Sequence, residues 1–156
     1  NSCRLTYEAR ILQWSTKNIL FVAAAGNSFK DLDINPEYPA AIDALTLLSV
    51  GAITPFNGMT HFSNYGATRV HLFAPGLNII STVPGGSQKS ESGTSMAAPF
   101  VTGAAALLKG LRPQASAEQI RNAILRSVTV DKSYINQSHG RLNVEEAIAL
   151  MKQLSP

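Results

Sequence analysis

The spacing of apolar residues changes twice along this chain: helical at first, then short unbroken runs, then helical again. Between residues 6 and 16, Ala9, Leu12 and Trp14, with Leu5 just ahead, are interleaved with Glu8 and Arg10 at a spacing that predicts an amphipathic helix, and Asn18 ends it. Residues 19–25 are apolar without a break and are closed by Gly26-Asn27, which predicts a strand buried on both faces in a parallel sheet. A polar, turn-rich loop follows through Asp31, Asp33, Asn35 and Pro36 to Tyr38-Pro39. Residues 46–53 read as a second buried strand, and Asn57-Gly58 marks a tight turn ahead of residues 59–62. Two more short strands are predicted at residues 70–74, stopped by Pro75-Gly76, and at residues 79–83, stopped by Pro84-Gly85-Gly86, closing the sheet-forming half.

From Ser95 onward the pattern is helical. Residues 97–108 are rich in Ala and Leu on all sides, with Gly110 and Pro113 as stop signals, and a helix apolar all round is a buried one. Ser116 with Gln119 forms a capping box for a helix reaching about Val128, and Asn143 with Glu146 starts a last helix reaching about Leu154; both read as outer helices. No internal repeat, low-complexity tract or linker interrupts this order, so the chain reads as one α/β layered domain.

Composition narrows the classes. At 156 residues, 45% hydrophobic and 15% charged, the chain has material for a core, and its low charge implies either a large buried fraction or a surface covered by something else. The net charge of +3 comes from scattered basic residues, which argues against a nucleic-acid surface. No apolar run is long and unbroken enough to span a bilayer, since Pro99, Thr102 and Gly103 interrupt the longest. Cys3 alone excludes an internal disulfide. The start at Asn1-Ser2-Cys3-Arg4 has neither an initiator Met nor a signal-peptide pattern and reads as a cut end.

Candidate chemistry centres on residues 90–99, where a Gly-containing loop runs into the apolar helix. A side chain at such a junction sits in the positive field of the free N–H groups of the first turn, which favours developing negative charge. That makes Ser95 a candidate nucleophile, although Ser and Thr are also ordinary helix caps. Gly93, Ala97 and Ala98 leave room for another backbone to approach, and Pro99 cannot donate to the Ser95 carbonyl. Asn27, beside Gly26 at a strand end, either carries a side-chain N–H donor into a cleft, as an oxyanion hole requires, or takes the left-handed turn common for Asn there.

Ala23-Ala24-Ala25-Gly26-Asn27, Tyr38-Pro39-Ala40, Phe62-Ser63-Asn64-Tyr65-Gly66, Ala74-Pro75-Gly76 and Gly93-Thr94-Ser95-Met96-Ala97-Ala98-Pro99, followed by Gly140-Arg141-Leu142-Asn143, occur in this order, and together they resemble the subtilisin-like serine proteases. The resemblance implies the C-terminal portion of that family's catalytic domain: a three-layer α/β fold with a mostly parallel sheet and a buried nucleophile helix. It implies a serine endopeptidase acting on polypeptides, with Ser95 as nucleophile and Asn27 as oxyanion-hole amide. The substrate wall would include Ala24, Ala25, Gly26, Gly93 and Thr94, and Asp33 facing that pocket would attract a substrate Lys or Arg. No cofactor is implied for the chemistry; relatives bind calcium, and Asp31, Asp33 and Asn35 alternate in a manner compatible with it, with no metal ligand assignable. A secreted or lumenal location and a propeptide or inhibitor partner belong to the same expectation.

The family's base lies in a His-Gly-Thr block that this sequence lacks. His61, His71 and His139 stand in other contexts and read as structural histidines. A serine nucleophile needs a base and a carboxylate to orient it, so the resemblance implies a companion segment or chain supplying Asp and His, and a chain that is inactive alone. The rival expectation is a catalytically inactive subtilisin-like module used in binding or structure.

Overall fold

A computed structural model of the chain describes residues 2–153, with side chains from Arg4 onward. Helix α1 (Ser2–Thr16) leads through Asn18, at φ 60°, into strand β1 (Phe21–Ala24). Strand β2 (Leu47–Ile53) follows the long loop, and β3 (Leu72–Pro75) follows the turn at Asn57-Gly58, where Thr54 N–H donates to the Gly58 carbonyl at 2.8 Å. Strands β4 (Ile79–Thr82) and β5 (Gln88–Glu91) precede α2 (Thr94–Leu111) and α3 (Ala117–Arg126). The chain closes with β6 (Thr129–Val130), β7 (Gly140–Arg141) and α4 (Val144–Gln153).

The main sheet has the order β1-β2-β3-β7-β6, parallel throughout except for the antiparallel β6–β7 pair. Side chains alternate across it, as the pleat requires. Leu48, Val50 and Ala52 of β2 and Leu72 and Ala74 of β3 face one side, where they pack on Ala97, Val101 and Leu108 of α2, Ile120 and Ile124 of α3 and Met151 of α4. Phe73, Ala23 and Ile53 face the other side with Leu32, Val70 and Tyr134. There α1 buries Ile11 against Ile42, Ala44 and Leu47, and Trp14 stacks on Phe21 at 5.5 Å. Helices on both faces of a mostly parallel sheet give the layered α/β architecture the sequence implies.

Both helix caps read from sequence form. Ser116 and Gln119 make a reciprocal capping box, and the Asn143 side chain accepts from Glu146 N–H at 3.0 Å. The end of the last helix at Leu154 lies outside the described residues. Three expectations need correction. Residues 79–83 do not extend the sheet: β4 pairs antiparallel with β5 as a separate hairpin, a strand of polar residues that periodicity alone does not reveal. Among the described residues, strand β1 lies at the sheet edge, and its residues are mostly half-buried rather than enclosed on both sides. Helix α2 buries one face only, leaving Phe100, Leu107 and Leu111 at 43%, 55% and 44% exposure, because no described element packs over that side.

His71 shows why a buried histidine here is structural. Its Nδ1 accepts the Ser49 N–H at 2.8 Å, while the His71 backbone N–H donates to the Ser49 carbonyl at 2.9 Å, locking the start of β3 to β2. Burial, helped by the positive charge of Arg121, pushes its pKa from 6.5 down to about 3. The unfolded chain therefore binds a proton that the fold refuses between these values. Stability from this residue is complete above about pH 6.5 and falls as the solution is acidified toward pH 3, by up to ~1.4 kcal/mol per pH unit. Urea unfolding of the wild type is expected to lose midpoint between pH 7 and pH 4.5, and His71→Gln to flatten that loss. A parallel pH profile in the variant would contradict this assignment.

Candidate active site

The end of β1 meets the start of α2 through one residue pair. Asn27 Oδ1 accepts the Thr94 N–H at 2.9 Å and the Thr94 hydroxyl at 3.0 Å, and Thr94 Oγ1 in turn accepts the Gly26 N–H at 3.0 Å. Because a backbone N–H only donates, the atom of Asn27 facing Thr94 must be the oxygen. That fixes the orientation of the amide and leaves its Nδ2 pointing elsewhere, with no hydrogen-bond partner among the described residues. Gly93 makes the approach feasible, since a Cβ there would stand only 3.3 Å from Asn27 Nδ2.

Thr94 is fully buried, whereas Ser95, the next residue and the second of α2, is exposed. Its N–H belongs to the first helical turn, whose donors lack partners within the helix. Among the described residues no side chain hydrogen-bonds to Ser95 Oγ. The result is an exposed hydroxyl on a helix N-terminus, with the backbone N–H groups of the first turn and, one residue away at Thr94, the clasp that orients the Asn27 amide. Such donors cost little to reorient when negative charge develops on a bound oxygen, which is the requirement of an oxyanion hole. A cleft of about 510 Å³ opens beside Ser95, walled by Ile79 and Ile80 of β4 and by Met96, Phe100 and Leu107 on the exposed face of α2.

The residues expected at the site separate into two groups. Ala25, Gly26, Asn27, Gly93, Thr94 and Ser95 converge, with Ala24 at the end of the same strand. Asp33 does not join them. Its carboxylate accepts from Thr68 N–H and the Thr68 hydroxyl, at 2.7 Å for the latter, and from Arg69 N–H at 2.9 Å, so it braces the loop after Gly66. Partial burial opposes its ionisation, but these hydrogen bonds outweigh that and hold its carboxyl below the ordinary Asp value. The acid that does reach the strand end is Glu37, with Oε2 2.6 Å from where a Cβ on Gly26 would lie. Glu37 also accepts from Lys30 Nζ at 2.9 Å and from Asn64 Nδ2 at 3.0 Å.

Asn64 is the second residue that sequence reasoning passed over, although it stands within a motif singled out there. It is fully buried and uses its whole amide: Oδ1 accepts from Ser28 N–H at 3.1 Å and Lys30 N–H at 2.9 Å, and Nδ2 donates to the Ala25 carbonyl at 2.9 Å as well as to Glu37. The loop that carries Asn27 is therefore held on both flanks by one side chain. Gly26, at φ 103°, takes a conformation open to glycine and has Asn64 packed where a side chain would be. A buried Asn satisfying four backbone and side-chain groups leaves no signal in hydrophobic periodicity.

None of the three histidines serves Ser95. His61 is exposed and edge-on to Phe62, His71 is tied to Ser49, and His139, at φ 48°, faces the Tyr134 carbonyl through Nδ1 at 3.2 Å. Asp31 is used in its own turn, accepting from Asp33 N–H at 2.9 Å. Among the described residues no three His, Cys, Asp or Glu side chains gather as metal ligands, and no helix is long and apolar enough to cross a membrane.

Comparison with known proteins places this arrangement. The family model described as the subtilase family matches residues 4–145. The chain is 39% identical over 142 residues to Subtilisin BL of Lederbergia lenta, covering 91% of this chain and 51% of that protein. It is equally identical over 142 residues to Subtilisin-like protease 2 of Plasmodium falciparum, covering 85% of this chain and 10% of that much longer protein. Among solved structures, the self-cleaved protease domain of PatA superposes with a TM-score of 0.79 at 35% identity, over 93% of this chain and 54% of that one. The chain thus spans about half the length of the bacterial relative and of the solved neighbour. With a family match over most of its length, relatives at this identity and a shared fold, the chain belongs to the subtilase family.

Proposed function

We propose that this chain is the nucleophile-bearing portion of a serine endopeptidase that cleaves polypeptides through an acyl-enzyme on Ser95. The observation that carries the reading is the Asn27–Thr94 clasp, which fixes the Asn27 amide oxygen on the residue just before Ser95 and leaves the amide N–H free among the described residues. Ser95 Oγ would attack the scissile carbonyl carbon while its proton passes to a base. The carbonyl oxygen, now negative, would be held by Asn27 Nδ2–H and the Ser95 N–H. Collapse returns the C=O and expels the amine, which takes the proton back from the base, and water then hydrolyses the ester.

The base and its orienting carboxylate come, in this proposal, from a companion segment carrying His and Asp. Two features support it: the apolar outer face of α2, with Phe100 and Leu107 exposed beside the cleft at Ser95, and the edge of β1, which has no strand partner among the described residues. A secreted or lumenal setting follows the family, as does a polypeptide substrate. The specificity reading shifts from Asp33 to Glu37, because Glu37 lies against the Gly26 wall while Asp33 is spent on Thr68 and Arg69. A basic substrate side chain would compete with Lys30 for that carboxylate. The rival reading, an inactive module, rests on the lack of any base at Ser95 among the described residues.

Four measurements follow. On the intact protein, Ser95→Ala is expected to abolish both peptide hydrolysis and labelling by a fluorophosphonate, and failure of the wild type to label would favour the inactive module. For Asn27→Leu a fall in kcat of ~10²–10³-fold is expected, a magnitude taken from the equivalent loss in subtilisin, a relative of this chain. Asn64→Ala removes four hydrogen bonds from the Asn27 loop, at ~1–3 kcal/mol for the groups left unpaired, and is expected to lower thermal stability and kcat together. An Asn64→Ala enzyme with unchanged kcat would dissociate the loop anchor from catalysis. Finally, Glu37→Gln is expected to reduce kcat/KM for peptides with Lys or Arg before the cleaved bond relative to those with Leu, and an unchanged ratio would remove Glu37 from specificity.

A further inference from the structure

Where β3 begins and α3 passes, a cavity of about 200 Å³ is bordered by Arg69, His71, Arg121, Gln137, Thr68 and Asp43. Its chemistry is set by a tautomer. Since the Ser49 N–H donates to His71 Nδ1, that nitrogen is the acceptor, and the proton of the neutral ring sits on Nε2. His71 is 7% exposed as a residue, and its ring borders the cavity. Because His71 lines the cavity, this Nε2–H is available to an acceptor in the space it borders.

The protein itself offers mostly donors there. Arg121 is partly buried, spends its Nε on the Leu47 carbonyl at 2.9 Å, and stands close enough to His71 for its charge to act on the ring. Arg69 uses one terminal nitrogen on the Ala41 carbonyl at 2.8 Å, which pins the guanidinium while its other N–H groups stay available. The Thr68 hydroxyl is already committed to Asp33 at 2.7 Å. The Gln137 amide, exposed and without a side-chain bond, is adaptable. The opposing charges are Asp43 on the cavity wall and, acting on Arg121 from its own helix, Glu118.

We propose that this cavity binds a tetrahedral oxyanion, inorganic phosphate or sulfate, held by His71 Nε2–H and the guanidinium groups of Arg69 and Arg121. Donors from the residue ahead of β3, from a loop and from α3 line the same space, which suits an anion with oxygens on several sides. Space is sufficient, since one water needs only ~10–15 Å³. A cation is disfavoured by two fixed positive charges against the single Asp43 carboxylate on the wall. Bound there, the anion would tie together the α1–sheet side loop at Ala41, the start of β3 and helix α3, and it would act on stability rather than on the chemistry at Ser95.

The test is titration of the intact protein with sodium phosphate and sodium sulfate, against sodium chloride at equal ionic strength, following the His71 ring nitrogens by NMR and the thermal midpoint. A saturable shift of Nε2 with a rise in Tm for phosphate or sulfate, absent with chloride, is the expected result. Arg69→Gln should weaken binding at least ~10-fold. Asp43→Asn, at an exposed position where folding is not at risk, should tighten it ~2- to 5-fold by removing the repelling charge. A chloride response equal to the others, a silent His71 ring, or weaker binding in Asp43→Asn would overturn the site. Peptidase activity plays no part in these readouts, so they stand or fall independently of the role of Ser95.

Discussion

The structure depends on the joint between the end of β1 and the start of α2. Asn27 accepts two hydrogen bonds from Thr94, and Thr94 accepts one from Gly26, so three residues from two distant stretches fix one another. Thr94 could be buried without penalty only because all its polar atoms are used this way. The same bonds leave two donors free, the Asn27 Nδ2–H and the Ser95 N–H. Satisfying the joint internally therefore creates the outward-facing polarity of the site.

Everything around the joint holds it in register. Parallel pairing of Ala24 with Val50 brings the end of β1 to a fixed height, and Val101 and Leu108 seat α2 on the sheet beneath it. Asn64 anchors the Asn27 loop from the opposite side, drawing Ser28, Lys30 and Ala25 to one buried amide. Rigid elements on two sides and a saturated buried Asn on the third are what a preorganised donor needs, because a mobile amide would lose its advantage on binding charge.

Much of this is legible in sequence because it follows from pattern. An unbroken apolar run announced β1, short mostly apolar stretches announced β2 and β3, and the Ser116 and Asn143 caps were announced by their partners three residues on. What escaped had physical reasons. Strand β5 is Gln-Lys-Ser-Glu in composition and is defined by its pairing with β4 alone. The apolar surround of α2 suggested complete burial, whereas the described residues cover one face. Asp33 and Glu37 are both loop acids a few residues apart, and only the path of the loop decides that Glu37 reaches Gly26 while Asp33 reaches Thr68. Asn64 sat in a recognised motif, but its four partners are distant in sequence and visible only in the fold.

The account stands on the claim that the clasp aims Asn27 Nδ2 at the oxygen that turns negative next to Ser95. The most direct measurement is a crystal structure of the intact protein with a phosphonate covalently attached to Ser95 Oγ. The account predicts one phosphonyl oxygen within hydrogen-bond distance of both Asn27 Nδ2 and the Ser95 N–H, with the Asn27–Thr94 bonds unchanged. A phosphonyl oxygen turned away from Asn27, or an Asn27 amide released from Thr94, would contradict it.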